Sequence, residues 1–332
     1  AIGCVERPTD MRDGDFSEGR ERVQLDQPAV IRPLARFGGV RPPAPVWFAT
    51  ALADAPERSS VDVDGAAIET LCWGRRGTPS LILLHGTYAH ADWWSFIAPA
   101  LATERRVIAF SLSGMGRSAW RDDYSVAGYA REVIAVAEAG GAFASAEPPV
   151  VLGHSFGGLI VAEAMALAGE RFAGAVLVDS VLVPPGQAVT DLGMGRPSNP
   201  VMASLADAVA RFRVLPPQNV ENLYALDHIA RRSVMPVPGG VTWSFDPTLI
   251  GKLRDIADGT VVARMRTPVA FMRGDRSSLA SGAMYAYARG LVGGPVPEVV
   301  IPDAGHHVMI DQPLAFIAAL RGLLAAWPTA PA

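Results

Sequence analysis

A mostly parallel, doubly wound α/β sheet carrying an inserted, largely helical segment is the fold this chain predicts, and three observations predict it. Short apolar runs alternate with helix-length patterns from about residue 80 to residue 178. The alternation breaks between Val183 and about Val262, where Pro, Met and polar turn residues mix with helical pieces. It resumes at Pro268 with two further strand–helix pairs. Regular alternation is the pattern of βαβ units, and an interruption between two strands of one sheet places an insertion at the sheet's carboxyl edge, over the ligand crevice.

Each element follows from its local pattern. Residues 1–41 are charged, lack an apolar period and are punctuated by Arg32-Pro33 and Arg41-Pro42-Pro43, so they read as an N-terminal arm. Trp47–Ala53 is a short helix. Val61–Val63 and Ala67–Trp73 flank Asp64-Gly65 and read as a hairpin. Ser80–Leu84 is continuously apolar, which suits a strand buried on both faces. A helix over 92–102, a strand over 106–110, an amphipathic helix over 126–139, a strand over 149–152, a helix over 156–168 and a strand over 174–178 follow in turn. In the insertion, Ala203–Arg213 and Asn219–Arg232 have helical patterns. Beyond it come strands over 268–272 and 296–301 and helices over 281–291 and 313–326. The expected organisation is an arm over 1–41, a core over 42–182 and 263–332, and a cap over 183–262.

Composition narrows the function classes. The chain has 332 residues, 50% of them hydrophobic, enough for one large core. Its net charge of −4 and lack of a basic stripe argue against a nucleic-acid partner. No apolar run approaches the ~20 residues that span a bilayer. Two cysteines, Cys4 and Cys72, are too few for a disulfide scaffold and have no metal-ligand spacing, so free thiols in a reducing, cytoplasmic setting are expected. The N-terminus lacks a basic stretch followed by an apolar core, so no signal peptide is expected in this chain. The arm offers a route to a homodimer.

Gly153-His154-Ser155-Phe156-Gly157 has the G-x-S-x-G spacing between a predicted strand and a predicted helix. A sharp strand-to-helix turn exposes Ser155 as a nucleophile at a helix N-terminus, and flanking glycines let the backbone close up. His154 should leave the turn in another direction and pack. A serine hydroxyl needs a base. Pro302–Val308 follows the last strand and holds His306 and His307, only one of which can point at Ser155; His306, directly after Gly305, is the expected base, with His307 as its rival and otherwise a packing residue. The acid that orients the base is expected at Asp275, after the strand at 268–272, with Asp179 at the end of strand 174–178 as its rival. The oxyanion donors are expected to be the N–H groups of Phe156 and Thr87. Gly86, Tyr88, His90, Trp93 and Trp243 are the expected substrate-pocket residues, with Met202 and Phe245 as further roof residues. Trp94 should lie in the core. No metal and no cofactor are expected.

Together, His85-Gly86 after a strand, the Ser-Leu-Ser-Gly-Met-Gly-Arg-Ser segment at 111–118, the elbow at 153–158, Gly274-Asp275 and Gly305-His306 resemble the α/β-hydrolase superfamily, in its capped, esterase-like branch. The resemblance covers about residues 46–328 and implies a serine hydrolase acting on a small carboxylic ester or lactone through an acyl-enzyme. It departs from the pattern at Ser111, where the branch commonly has Asp. Ser at position 155 sets the chain apart from relatives that use an Asp nucleophile. Two alternatives stand beside the esterase reading. One is a carbon–carbon bond hydrolase of ring-cleavage products, which would need a carboxylate-binding Arg such as Arg231 or Arg232. The other is a non-catalytic ligand receptor on the same fold.

Overall fold

The computed structural model describes residues 32–185, 198–255 and 258–327. Most of the expected arm, including Cys4, and a central stretch of the insertion lie outside the described residues. Of the arm, Arg32–Arg41 is described and carries one 3₁₀ turn, Ala35–Phe37.

Eight strands form the main sheet: β1 (Glu57–Val63), β2 (Ala66–Trp73), β3 (Ser80–Leu84), β4 (Arg106–Phe110), β5 (Val150–His154), β6 (Gly174–Val178), β7 (Val269–Gly274) and β8 (Glu298–Ile301). Their spatial order is β1-β2-β4-β3-β5-β6-β7-β8. Only β2 runs against its neighbours; β3 to β8 are parallel. The order reverses at β3, so chain direction turns outward from there to both edges, the condition that opens a crevice at the carboxyl ends.

The apolar runs are strands because both of their faces are covered. In β3, Leu81 and Leu83 enter one core cluster while Ile82 and Leu84 enter the other. The same alternation holds in β6, with Val176 and Val178 on one side and Ala175 and Leu177 on the other. Successive side chains point to opposite faces, so a strand with helices on both sides must be apolar throughout. The helices Val126–Gly140, Phe156–Ala168, Gly282–Leu291 and Pro313–Ala325 supply that cover. Ser125 caps the first of them, its hydroxyl accepting from the Gly128 N–H at 3.0 Å.

The structure departs from the sequence reading in two places. The helix expected over 92–102 divides into a 3₁₀ turn, Ala91–Trp94, and a short α-helix, Ala98–Leu101, because Pro99 cannot donate into a continuous helix. The insertion is less helical than expected. Besides helices Leu205–Arg211 and Leu223–Arg232 it holds an antiparallel hairpin, Val234–Val237 with Gly240–Trp243, and a 3₁₀ stretch, Gly259–Arg264. Gly239 and Gly240 both have positive φ, which lets the hairpin turn.

Trp94 lies in the core, fully buried and stacked on Phe316. Cys72 is a buried free thiol. Among the described residues, no helix is long and apolar enough to cross a membrane.

Candidate active site

Ser155 sits between β5 and the helix Phe156–Ala168, with φ 55° and ψ −123°. Left-handed φ at a residue with a Cβ costs on the order of 1–3 kcal/mol and is held only by its surroundings. Here the Ser155 N–H donates to Val178 O at 2.8 Å, tying the elbow to β6. Glycines make the close approach feasible: a Cβ at Gly157 would lie 2.3 Å from His85 O, and one at Gly153 would lie 2.4 Å from Gly157 O.

His306 brings its Nε2 to 3.0 Å from Ser155 Oγ. Its Nδ1 lies 2.7 Å from Asp179 Oδ1. A carboxylate only accepts, so Nδ1 carries the ring proton and Nε2 is left to accept from the serine hydroxyl. Asp179 is fully buried and held by two further donors: Ser277 Oγ at 2.5 Å to Oδ1 and the Gly274 N–H at 2.9 Å to Oδ2.

The carboxylate against His306 is therefore that of Asp179, a correction to the expectation of Asp275. Asp179 follows β6 and Asp275 follows β7, so both stand at the carboxyl ends of adjacent strands. Asp275 is exposed, and its Oδ1 accepts from the Ala304 N–H at 3.2 Å, bracing the base's loop from the outside. Ser277 was not foreseen; its only signal in the sequence is its place in the turn after Gly274.

The loop after β3, which carries the candidate oxyanion donor Thr87, is organised by His85. Its Nδ1 donates to Gly86 O at 2.7 Å, and its Nε2 accepts from the Leu112 N–H at 3.1 Å. Burial lowers its pKa to about 3, so the ring is neutral and its two roles are fixed. Neither the Thr87 N–H nor the Phe156 N–H donates to a described loop or strand residue, and Thr87 lines the same cavity as Ser155. Ser111, at the position where Asp is common, donates its hydroxyl to Glu69 Oε2 at 2.7 Å and accepts from the Ala91 N–H at 3.0 Å. Glu69 thus supplies a carboxylate beside Ser111.

A cavity of about 310 Å³ has Ser155 and His306 in its wall. Gly86, Thr87, Tyr88, Trp93 and Trp243 line it, as do Met202 and Phe245. Tyr88 packs against Phe245, with ring centroids 4.5 Å apart and the planes tilted by 40°. Phe156 is not in the wall, and its ring packs edge-on against Tyr129. His90 is not in the wall. It is buried behind it, with Nε2 2.9 Å from Ser233 Oγ, and Ser233 is the residue that reaches the cavity. The two arginines considered for a carboxylate are engaged elsewhere: Arg231 pairs with Asp227 at 2.7 Å and Arg232 with Asp92 at 2.9 Å.

Two more histidines frame the base. The Nε2 of buried His154 lies 2.9 Å from His306 O and steadies the base's backbone. The His307 ring is buried between His306 and Trp93. Burial lowers the pKa of both well below the ordinary value, so both are neutral. The ligating atoms of His154, His306 and His307 lie within 4.8 Å of one another. They form the one group suited to a metal ion among the described residues, but a cation there would take His306 from Ser155 or Asp179.

The base's loop is also clamped by Asp311. Its Oδ2 accepts from the Gly305 N–H at 2.7 Å, and both oxygens accept from Gln218 Nε2, at 2.9 and 2.8 Å. Gln218 belongs to the insertion, and its Oε1 accepts from the His307 N–H at 3.2 Å. Burial raises the Asp311 pKa to about 6, against the lowering effect of these hydrogen bonds. The unfolded chain releases this proton near the ordinary value of about 4. Between these limits the folded state holds more protons, so this group makes stability fall as pH rises from about 4 to about 6. Asp311→Asn is expected to flatten that part of the stability profile. Urea midpoints of variant and wild type, compared at pH 4.5 and pH 7, check it; an unchanged difference between the two would refute it.

A model of the alpha/beta hydrolase family matches residues 81–320. Among curated proteins, the chain is 26% identical over 324 residues to the esterase Rv0045c of Mycobacterium tuberculosis, covering 92% of this chain and 97% of that protein. It is 25% identical over 256 residues to the lipase LipV of the same organism, covering 76% and 95%. The solved structure of the Rv0045c esterase matches with a TM-score of 0.63 at 22% identity, over 88% of this chain and 96% of that one, a likeness of fold.

Proposed function

Because this chain belongs to the alpha/beta hydrolase family, we propose that it hydrolyses a carboxylic ester, lactones included, through an acyl-enzyme on Ser155. The chain of contacts from Ser155 through His306 to Asp179, at 3.0 and 2.7 Å, is the observation that carries this reading. The esterase and lipase relatives agree with it at the level of ester hydrolysis.

In this mechanism Ser155 Oγ bonds to the acyl carbon while its proton passes to His306 Nε2. The carbonyl π pair moves to oxygen, where the Thr87 and Phe156 N–H groups meet the developing charge. Asp179 stabilises the imidazolium and fixes its orientation; it takes no proton itself. The oxyanion collapses, the carbon–oxygen bond to the alcohol breaks, and His306 gives its proton to the departing alkoxide. Water then attacks the acyl-enzyme with His306 again as base, releasing the acid and restoring Ser155. Residues 42–182 and 263–332 act as the core and 183–262 as a cap whose Trp243, Met202 and Phe245 form an apolar roof. Gly86, Tyr88 and Trp93 complete the pocket from the core side.

Arg231 and Arg232, the arginines a carbon–carbon bond hydrolase is expected to use, are paired with Asp227 and Asp92 and do not supply its carboxylate site. A neutral alkyl fluorophosphonate is expected to modify the protein once, with Ser155 as the labelled residue in the peptide map, and to abolish turnover of 4-nitrophenyl butyrate in step with labelling. Failure to label Ser155 would overturn the enzymatic reading.

A further inference from the structure

The charge of the cavity wall opposes the charge of the chain. The chain carries a net −4. The wall around Ser155 nonetheless includes Arg32, Arg211 and Arg213 and no Asp or Glu. The other arginines near the insertion are spent on carboxylates: Arg41 and Arg231 on Asp227, and Arg58 and Arg232 on Asp92. Arg32, Arg211 and Arg213 are exposed and form no ion pair with any described residue.

Their setting is amphipathic. Arg211 ends the helix Leu205–Arg211, the chain turns extended at Phe212 and runs on through Arg213 and Val214, and Phe212 packs against Trp243 with ring centroids 6.0 Å apart. Arg211, Phe212, Arg213 and Val214 all line the cavity, together with Ser155, His306 and Trp243. An apolar slot with arginines that pair with no described carboxylate fits an apolar arm that ends in an anion, because Arg pairs with carboxylate or phosphate through two parallel N–H donors. The wall's positive field, unopposed by any lining carboxylate, also draws such a ligand toward the site.

Resting on the ester-hydrolase reading above, we propose that the natural substrate is an anionic ester, one whose apolar arm ends in a carboxylate or a phosphate held by Arg211 and Arg213 with Arg32. The test compares kcat/KM for matched esters on the full chain. Mono-4-nitrophenyl adipate and 4-nitrophenyl 6-phosphonohexanoate carry the anion on the acyl arm. The neutral match is 4-nitrophenyl hexanoate. An anion on the alcohol arm is supplied by 4-hexanoyloxybenzoate, matched by phenyl hexanoate. At least one anionic ester is expected to exceed its neutral match at least tenfold in 20 mM salt, chiefly through KM. That ratio should shrink severalfold in 500 mM salt, because the interaction is screened. The arm with the largest ratio identifies the anion and the side of the ester that carries it. In Arg211→Gln/Arg213→Gln, shown to be folded by phosphonate labelling of Ser155, the ratio should fall to within about twofold of unity. Ratios near unity for every anionic ester in the wild type, with Ser155 labelled and the neutral esters turned over, would overturn the proposal and leave the hydrolase reading standing. A high ratio unchanged in the double variant would overturn the role of these arginines. Loss of labelling and of all turnover in the wild type would instead sink the hydrolase reading itself.

Discussion

Ser155→Ala is expected to lower kcat for ester hydrolysis by on the order of 10⁵–10⁶-fold, the loss seen when a triad nucleophile is removed alone. The side chain lost makes the bond to carbon, and the remaining groups cannot replace it. Oxyanion donors and the binding pocket survive, so a residue of rate enhancement over water survives too. The fold should tolerate the change. Alanine keeps the same Cβ in the same φ 55° conformation, the Ser155 N–H bond to Val178 O needs only the backbone, and the one contact removed is the 3.0 Å bond to His306. Steady-state kinetics with 4-nitrophenyl butyrate beside a circular-dichroism melt measure both halves. Activity near wild type in a folded variant would remove Ser155 from the chemistry.

Asp179→Asn is the second large effect, about 10⁴-fold in kcat, and its cause is a proton on the wrong nitrogen. The environment of Asp179 decides how the amide would sit. Oδ2 accepts from the Gly274 N–H, so an amide NH₂ cannot face that side. It must turn toward His306 and Ser277. His306 Nδ1 then has to accept, the ring proton moves to Nε2, and the base can no longer take the proton of Ser155. Asp275→Asn should change kcat by less than about threefold, since an exposed amide oxygen still accepts from the Ala304 N–H. The pair of variants, measured on one substrate, discriminates cleanly: a large loss at 275 with little at 179 would transfer the orienting role to Asp275.

The contrast between these two aspartates marks where the sequence stops being legible. The elbow at Ser155 is local: strand, turn and helix are contiguous, and each leaves its own pattern. The β3–β6 runs are equally plain, since strands covered on both faces must be apolar at every position. The acid is not local. Asp179 and Asp275 each follow a buried parallel strand, and β6 and β7 are neighbours. What separates them is the path of the 302–307 loop in space, which no spacing encodes. The contacts of Ser277 with Asp179 and of Gln218 with Asp311 were hidden for the same reason, because each joins residues far apart in sequence. His90 looked like a pocket residue from its loop, yet its ring turns inward to Ser233. The insertion was read as largely helical because Pro236 and Pro238 obscure the alternation of a hairpin that Gly239-Gly240 would otherwise have announced.

Gln218 has a mechanical meaning. One amide from the insertion grips Asp311 with its nitrogen and the His307 N–H with its oxygen, while Asn222, four residues on, donates to Ile310 O and Asp311 O at 2.9 and 3.0 Å. The insertion and the loop that carries His306 are thus stitched together by hydrogen bonds, those to the Asp311 carboxyl charge-assisted once it ionises. Melting of the roof would unseat His306 even while the eight-stranded sheet stayed folded. A denaturant titration that follows turnover beside far-ultraviolet circular dichroism reads that coupling directly.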